Sequence, residues 1–199
     1  SVQNKLILML RKIKGIEELA TSDEVASKLN GLFHSLQDLI DDDIRPISQQ
    51  LYPSILRRGL VPALQSVGDR FKSIFAVEMK LDPALVKQEL SDRNLIPERA
   101  RLAAYRIAEE ALTNVLKHAD ANKVVVTLDM DPDSCLRISV RDDGQGFDTE
   151  TDSGGMGIGT MRDYAEVVGG KCDVQSTPGC GTEVGASLPQ VPPSEHKSN

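Results

Sequence analysis

Behind one long helical pattern, the second half of the chain carries three glycine-rich segments, and no other feature narrows its folding more. The helical stretch is Ala103–Ala121, AAYRIAEEALTNVLKHADA, with no Gly or Pro inside it. Tyr105, Ala108, Leu112, Val115 and Ala119 recur at three- and four-residue steps, which makes one buried helical face. Arg106, Glu110, Asn114 and Lys117 form a second stripe at helical steps, and this one is wholly polar. Taken alone, such a stripe reads as a solvated face. Here VRDDGQGFD (Val140–Asp148), GGMGIG (Gly154–Gly159) and TPGCGT (Thr177–Thr182) follow it. One glycine cluster is ordinary turn chemistry. Three of them behind the E-x-x-x-N of Glu110–Asn114 make the polar stripe a candidate site.

This arrangement resembles the GHKL (Bergerat) ATPases, and in detail the catalytic domain of bacterial sensor histidine kinases. Glu110–Asn114 looks like the N box, Asp142–Gly146 the G1 box and Gly155–Gly159 the G2 box. The Gly179–Thr182 run is similar to the last glycine turn of that fold. The likeness spans Ser73 to Pro189 and implies ATP and Mg²⁺ as cofactors. Mg²⁺ takes hard oxygen ligands and keeps several waters, so the Asn114 amide oxygen with phosphate oxygens suffices as its metal site. Glu110, one turn earlier, is placed to orient or deprotonate the attacking group. Lys117 meets a phosphate as a point charge. His118 fits the family pattern, and equally fits a satisfied helix-end histidine.

Asp142 ends a strand whose Leu136, Ile138 and Val140 face the core, so its carboxylate needs a hydrogen-bond donor. Adenine's exocyclic amine is a suitable one. Gly144 and Gly146 let the backbone turn and approach the base. Ser153–Gly159, with Gly155, Gly157 and Gly159, reads as a mobile lid whose N–H groups cradle phosphates ahead of a helix from Thr160. Thr182 is expected to back Asp142 through a water. The lid, Thr149–Met156, is short, as in one kinase subfamily, and Asp143 stands where the family usually has Asn.

The fold class expected is α+β: a two-helix hairpin at residues 1–66, forming a dimeric four-helix bundle, then a Bergerat-type α/β sandwich that binds ATP at 67–189, with a flexible tail at 190–199. The hairpin helices run from Val2 to about Ala20 and from about Glu24 toward Leu51, with a break and N-cap at Thr21-Ser22-Asp23, Asp23 and Glu24 in an acidic first turn, and a kink at Pro46. Their apolar stripes are too long to be buried within one hairpin, which predicts a homodimer through these helices. LYPSILRRGLVPAL, with Pro62 in the first turn of a short helix to about Phe71, is similar to the end of the dimerisation domain in kinases whose response regulators carry helix-turn-helix outputs. By that likeness the phosphoacceptor histidine lies just before Ser1. Strands are predicted from Ser73 to Met79, at Lys123–Met130 and Cys135–Val140, and in a closing hairpin of Lys171–Thr177 with Thr182–Leu188. Short helices are predicted at Pro83–Glu89 and Thr160–Val168, and Pro97 opens the N-box helix.

Composition excludes several classes. A net charge of −7 with scattered Lys and Arg argues against direct nucleic acid binding. Cys135, Cys172 and Cys180 are odd in number without C-x-x-C spacing, which predicts reduced thiols and a cytoplasmic setting. The apolar run Leu6–Leu10 is too short to span a bilayer, so any membrane anchor of the parent lies outside this segment. The leading reading is the ATP-binding core of a sensor histidine kinase that phosphorylates an upstream histidine and then a response-regulator aspartate. Its rivals are an anti-sigma-factor-like serine kinase and a nucleotide-dependent binding module without phosphotransfer. His34, on the second hairpin helix, lacks the acidic follower expected of an acceptor.

Overall fold

The computed structural model describes residues 29–32, 34–36, 53–132, 134–149 and 155–190. The chain divides into two units, Ser1–Tyr52 and Pro53–Asn199. In the first, residues 29–32 and 34–36 are helical, inside the span expected for the second hairpin helix, and His34 is exposed there. The remainder of the expected hairpin, including the kink at Pro46, and the tail from residue 191 lie outside the described residues.

The second unit begins with a 3₁₀ turn, Ser54–Arg58, followed by α1 (Leu60–Asp69), β1 (Ala76–Leu81) and α2 (Pro83–Ser91). Next come α3 (Glu98–Asn114), which continues into a turn of π-helix at Val115–Ala119, then β2 (Lys123–Met130) and β3 (Cys135–Asp142). The last elements are α4 (Gly155–Glu166), β4 (Lys171–Ser176) and β5 (Thr182–Pro189). The sheet order is β1-β2-β3-β5-β4. Only β1 and β2 pair in parallel. A parallel pair needs a crossover, and α2 with α3 supplies it.

Period-two burial decides which sheet face is covered. Val124, Val126 and Leu128 of β2, Leu136, Ile138 and Val140 of β3, and Val184, Ala186 and Leu188 of β5 are all buried. Their neighbours in sequence are half-buried or exposed, and Asp142 continues the buried phase of β3. On the buried face α3 packs against β3 and β5, with α1 over β1 beside it and α4 over β4 and β5 on its other side. This is the α+β sandwich expected. Residue 66 falls within α1, whose Leu60, Ala63, Leu64 and Val67 are buried.

The first strand starts later than its alternation suggests. Ile74 and Phe75 both donate their N–H to the Phe71 carbonyl, closing a turn where strand is predicted from Ser73. Phe71 and Phe75 stack with centroids 5.6 Å apart and are buried, so aromatic packing overrides the local pattern. Helix α4 likewise begins at Gly155, five residues before the expected start at Thr160.

The start of α1 is capped from a distant part of the sequence. Glu89 on α2 is buried, and its carboxylate accepts the Leu60 N–H at 2.6 Å and the Val61 N–H at 2.9 Å. These are two of the donors a helix start leaves unpaired, and Pro62 removes a third by having no N–H. Gly59 precedes them with φ +118°, and a Cβ there would lie 2.9 Å from the Glu89 carboxyl carbon. Glu89→Ala should therefore destabilise this unit by about 2–3 kcal/mol in chemical denaturation, since it strands buried donors that met a charge. Glu89→Gln keeps one acceptor oxygen and should lose less.

Candidate nucleotide-binding site

The last residue of β3 is a carboxylate on the buried face. Asp142 is 5% exposed, and its Oδ1 accepts the Gly144 N–H at 2.8 Å and the Thr182 N–H at 3.3 Å. Among the described residues no donor reaches Oδ2. Burial raises the Asp142 pKa, the two N–H groups partly offset that, and the neighbouring Asp143 charge adds a further upward push. The end of β3 thus offers a desolvated acceptor held by one oxygen.

Close backbone approach around this carboxylate requires glycine. A Cβ on Gly144 would lie 2.3 Å from the Ala119 carbonyl oxygen, and one on Gly146 would lie 2.1 Å from that of Thr177. Gly146 also has φ +60°. Gly181, φ +80°, leaves no room either, because a Cβ there would meet the Asp142 carbonyl oxygen at 2.2 Å.

Along α3 the polar stripe divides. Glu110 and Asn114 are half-buried, and both face α4: a Cβ on Gly157 would sit 2.6 Å from Glu110 Oε1 and 3.3 Å from Asn114 Oδ1. Lys117, half-buried, and His118, exposed, ride the π turn. Arg106 does not belong with them. It is buried and pairs with Glu109 at 2.8 Å, while Glu109 also takes Arg70 at 2.7 Å and lies within 3.3 Å of the Tyr105 hydroxyl. This network spans from α3 toward α1, so Arg106 is neither a solvated charge nor a member of the site.

One expectation changes. The G2 glycines are not a loop ahead of a helix; Gly155, Gly157 and Gly159 lie in the first turns of α4. The physical reason lies in Gly157, since the helix can begin against Glu110 and Asn114 only without a side chain there. Gly159 has no atom within 4 Å of a Cβ position, so space does not demand glycine at that point. The first-turn N–H groups of a helix lack intrahelical partners, so this start still offers donors to an anion. Thr182 meets Asp142 directly through its backbone N–H at 3.3 Å, and its hydroxyl lies 2.8 Å from that of Ser176.

Three supporting residues escaped the sequence reading. Asp143 Oδ1 accepts the N–H groups of Asn122 and Lys123, each at 2.9 Å, tying the start of β2 to the end of β3. Ser176 accepts the Phe147 N–H at 2.9 Å and sits 3.2 Å from the Gly181 carbonyl, closing the loop after Gly146. Gln145 donates from Nε2 to the His118 carbonyl at 2.6 Å. Only the turn chemistry of Ser176–Gly179 is visible in the sequence; the contacts of Asp143 and Gln145 join residues 20 to 27 positions apart.

The family model described as "Histidine kinase-, DNA gyrase B-, and HSP90-like ATPase" matches residues 100–192. These residues are similar to that family's ATPase domain. The matched segment includes Asp142, Glu110, Asn114 and the start of α4 that packs against the last two. Over 179 residues the chain is 27% identical to the sensor histidine kinase LiaS of Bacillus subtilis strain 168, covering 89% of this chain and 47% of that protein. Over 127 residues it is 35% identical to the nitrate/nitrite sensor protein NarX of Escherichia coli K12, covering 63% of this chain and 20% of NarX. The chain thus spans about half of one relative and a fifth of the other. A blue-light activated histidine kinase of Erythrobacter litoralis shares the fold, with TM-score 0.53 at 19% identity over 96% of this chain and 60% of that one.

The raised Asp142 pKa has a definite sign in stability. The folded chain holds this proton more tightly than the unfolded chain, so its contribution is full below the ordinary carboxylate pKa and is lost as pH rises through the raised value. Asp142→Asn ends the titration but keeps an oxygen for the two N–H donors. The variant's stability relative to wild type should therefore increase with pH across the acidic range and then level off, in denaturation curves at stepped pH. A difference that does not vary with pH would contradict the burial argument.

Proposed function

We propose that this chain is the ATP-binding core of a two-component sensor histidine kinase. The observation that carries the reading is the meeting of two chemistries in one fold: a desolvated carboxylate at Asp142, and the oxygens of Glu110 and Asn114 gathered at the start of α4. In this reading Asp142 Oδ2 accepts the exocyclic amine of adenine, and Gly144 and Gly146 let the base lie against backbone. Asn114 Oδ1 is the side-chain oxygen for Mg²⁺, which suits a hard cation that otherwise keeps phosphate and water oxygens. The space that a Cβ on Gly157 would fill, next to the Glu110 and Asn114 oxygens, supports that fit. When bound, the ion supplies charge neutralisation at the phosphates. Lys117 and His118, with the first-turn N–H groups at Gly155 and Gly157, face the phosphates, and Thr182 fixes Asp142 through its N–H.

Glu110 then orients the acceptor imidazole, whose unprotonated nitrogen attacks, and takes the proton of the other ring nitrogen as the N–P bond forms and the Pγ–O bond to ADP breaks. The proposed acceptor is a histidine outside these 199 residues, and the phosphoryl group passes next to an aspartate of a response regulator with a helix-turn-helix output domain. The apolar stripes of the N-terminal segment support a homodimer through that segment. Among the described residues no helix is long and apolar enough to cross a membrane, and we place this core in the cytoplasm.

Incubated with labelled ATP, this chain should stay unlabelled, whereas a chain extended upstream to include the acceptor should gain acid-labile label. In the extended chain, Glu110→Gln should slow labelling by roughly 10²–10⁴-fold and leave ADP affinity within about twofold. Acid-labile label on the present chain that vanishes in His34→Gln would overturn the acceptor assignment.

A further inference from the structure

The π turn that ends α3 leaves carbonyl groups without helical partners, and one residue of the G1 loop takes two of them. Gln145 donates its backbone N–H to the Ala119 carbonyl at 2.8 Å and its side-chain amide to the His118 carbonyl at 2.6 Å. Its own carbonyl accepts the Gly179 N–H at 2.6 Å. Asp120 follows in the left-handed region at φ +51°, so the chain leaves the helix immediately beyond the capped carbonyls. Gly144 makes the approach possible, because any Cβ there would collide with the Ala119 oxygen. One residue therefore joins the turn carrying Lys117 and His118, through its side chain and its backbone N–H, to the loop that starts at Asp142, and through its backbone carbonyl to the loop that ends at Thr182.

A π turn shifts the residues that follow it off the regular helical face, and such turns concentrate at functional sites. Lys117 and His118 consequently owe their direction to this turn rather than to the α-helical stripe that carries Glu110 and Asn114. We propose that Gln145 is a positioning residue, holding the π turn in register with the Asp142 pocket so that base and phosphates of one nucleotide are met together. The inference rests on the nucleotide reading above and adds to it a determinant of phosphate affinity that does not itself touch the base carboxylate. A bland alternative is that the Gln145 amide is a surface contact with no effect on ligand.

The two are separated by ADP and adenosine affinities, measured by calorimetry on this chain. Gln145→Met has similar length and no donor, and it leaves the backbone N–H in place. It should weaken ADP by about three- to tenfold, the loss expected for one neutral hydrogen bond, while adenosine affinity is unchanged. Gln145→Arg restores a donor at that reach and should recover most of the loss, measured at raised salt so that the added charge is screened. An ADP-to-adenosine ratio in Gln145→Met equal to that of wild type would overturn the positioning role, as would equal losses of both ligands. Wild-type chain that binds neither ligand would instead overturn the nucleotide reading itself.

Discussion

A carboxylate taken out of water at the end of a central strand is the constraint on which this domain turns. Asp142 lies on the buried face because β3 alternates without interruption from Leu136, and its desolvation is offset only in part by the Gly144 and Thr182 N–H groups. To bring those donors in, two loops must converge where no side chain fits, which is why Gly144, Gly146 and Gly181 all lack room for a Cβ. The glycines are thus consequences of one buried acid. In the function proposed above, a ligand donor for Oδ2 completes the set.

The second constraint is the dual duty of α3. Its apolar face covers β3 and β5, and its two flanks meet α1 and α4. Toward α1 it makes the Arg70–Glu109–Arg106 network, and toward α4 it places Glu110 and Asn114 against Gly157. Consecutive acids, Glu109 and Glu110, therefore do opposite work: one pairs with the buried Arg106 and the half-buried Arg70, the other remains at the proposed reaction centre. About 100° of helical rotation between neighbours accounts for the division.

Much of this was legible from residue types. Period-two burial located β2, β3 and the closing hairpin, and the E-x-x-x-N helix with its glycine segments singled out Glu110, Asn114, Asp142, Gly144 and Gly146. Positions failed where a distant contact decided them. Arg106 shares helical spacing with Glu110, yet Glu109 and Arg70 claim it. The G2 glycines read as a loop by composition, yet packing on Glu110 admits them as a helix start. Phe71 and Phe75 delay β1 by stacking. The capping of α1 by Glu89 and of the π turn by Gln145 joins segments 29 and 27 residues apart, and no local pattern encodes either one.

What most directly tests the role of the buried acid is the affinity for ADP against that for the same nucleotide with hydrogen in place of adenine's exocyclic amine. Losing one hydrogen bond to a charged acceptor amounts to about 1.5–3 kcal/mol. The amine-free nucleotide should therefore bind on the order of 10- to 150-fold more weakly, and Asp142→Ala should erase the difference. Equal affinities for the two nucleotides in the wild-type chain would contradict Asp142 as the reader of the base.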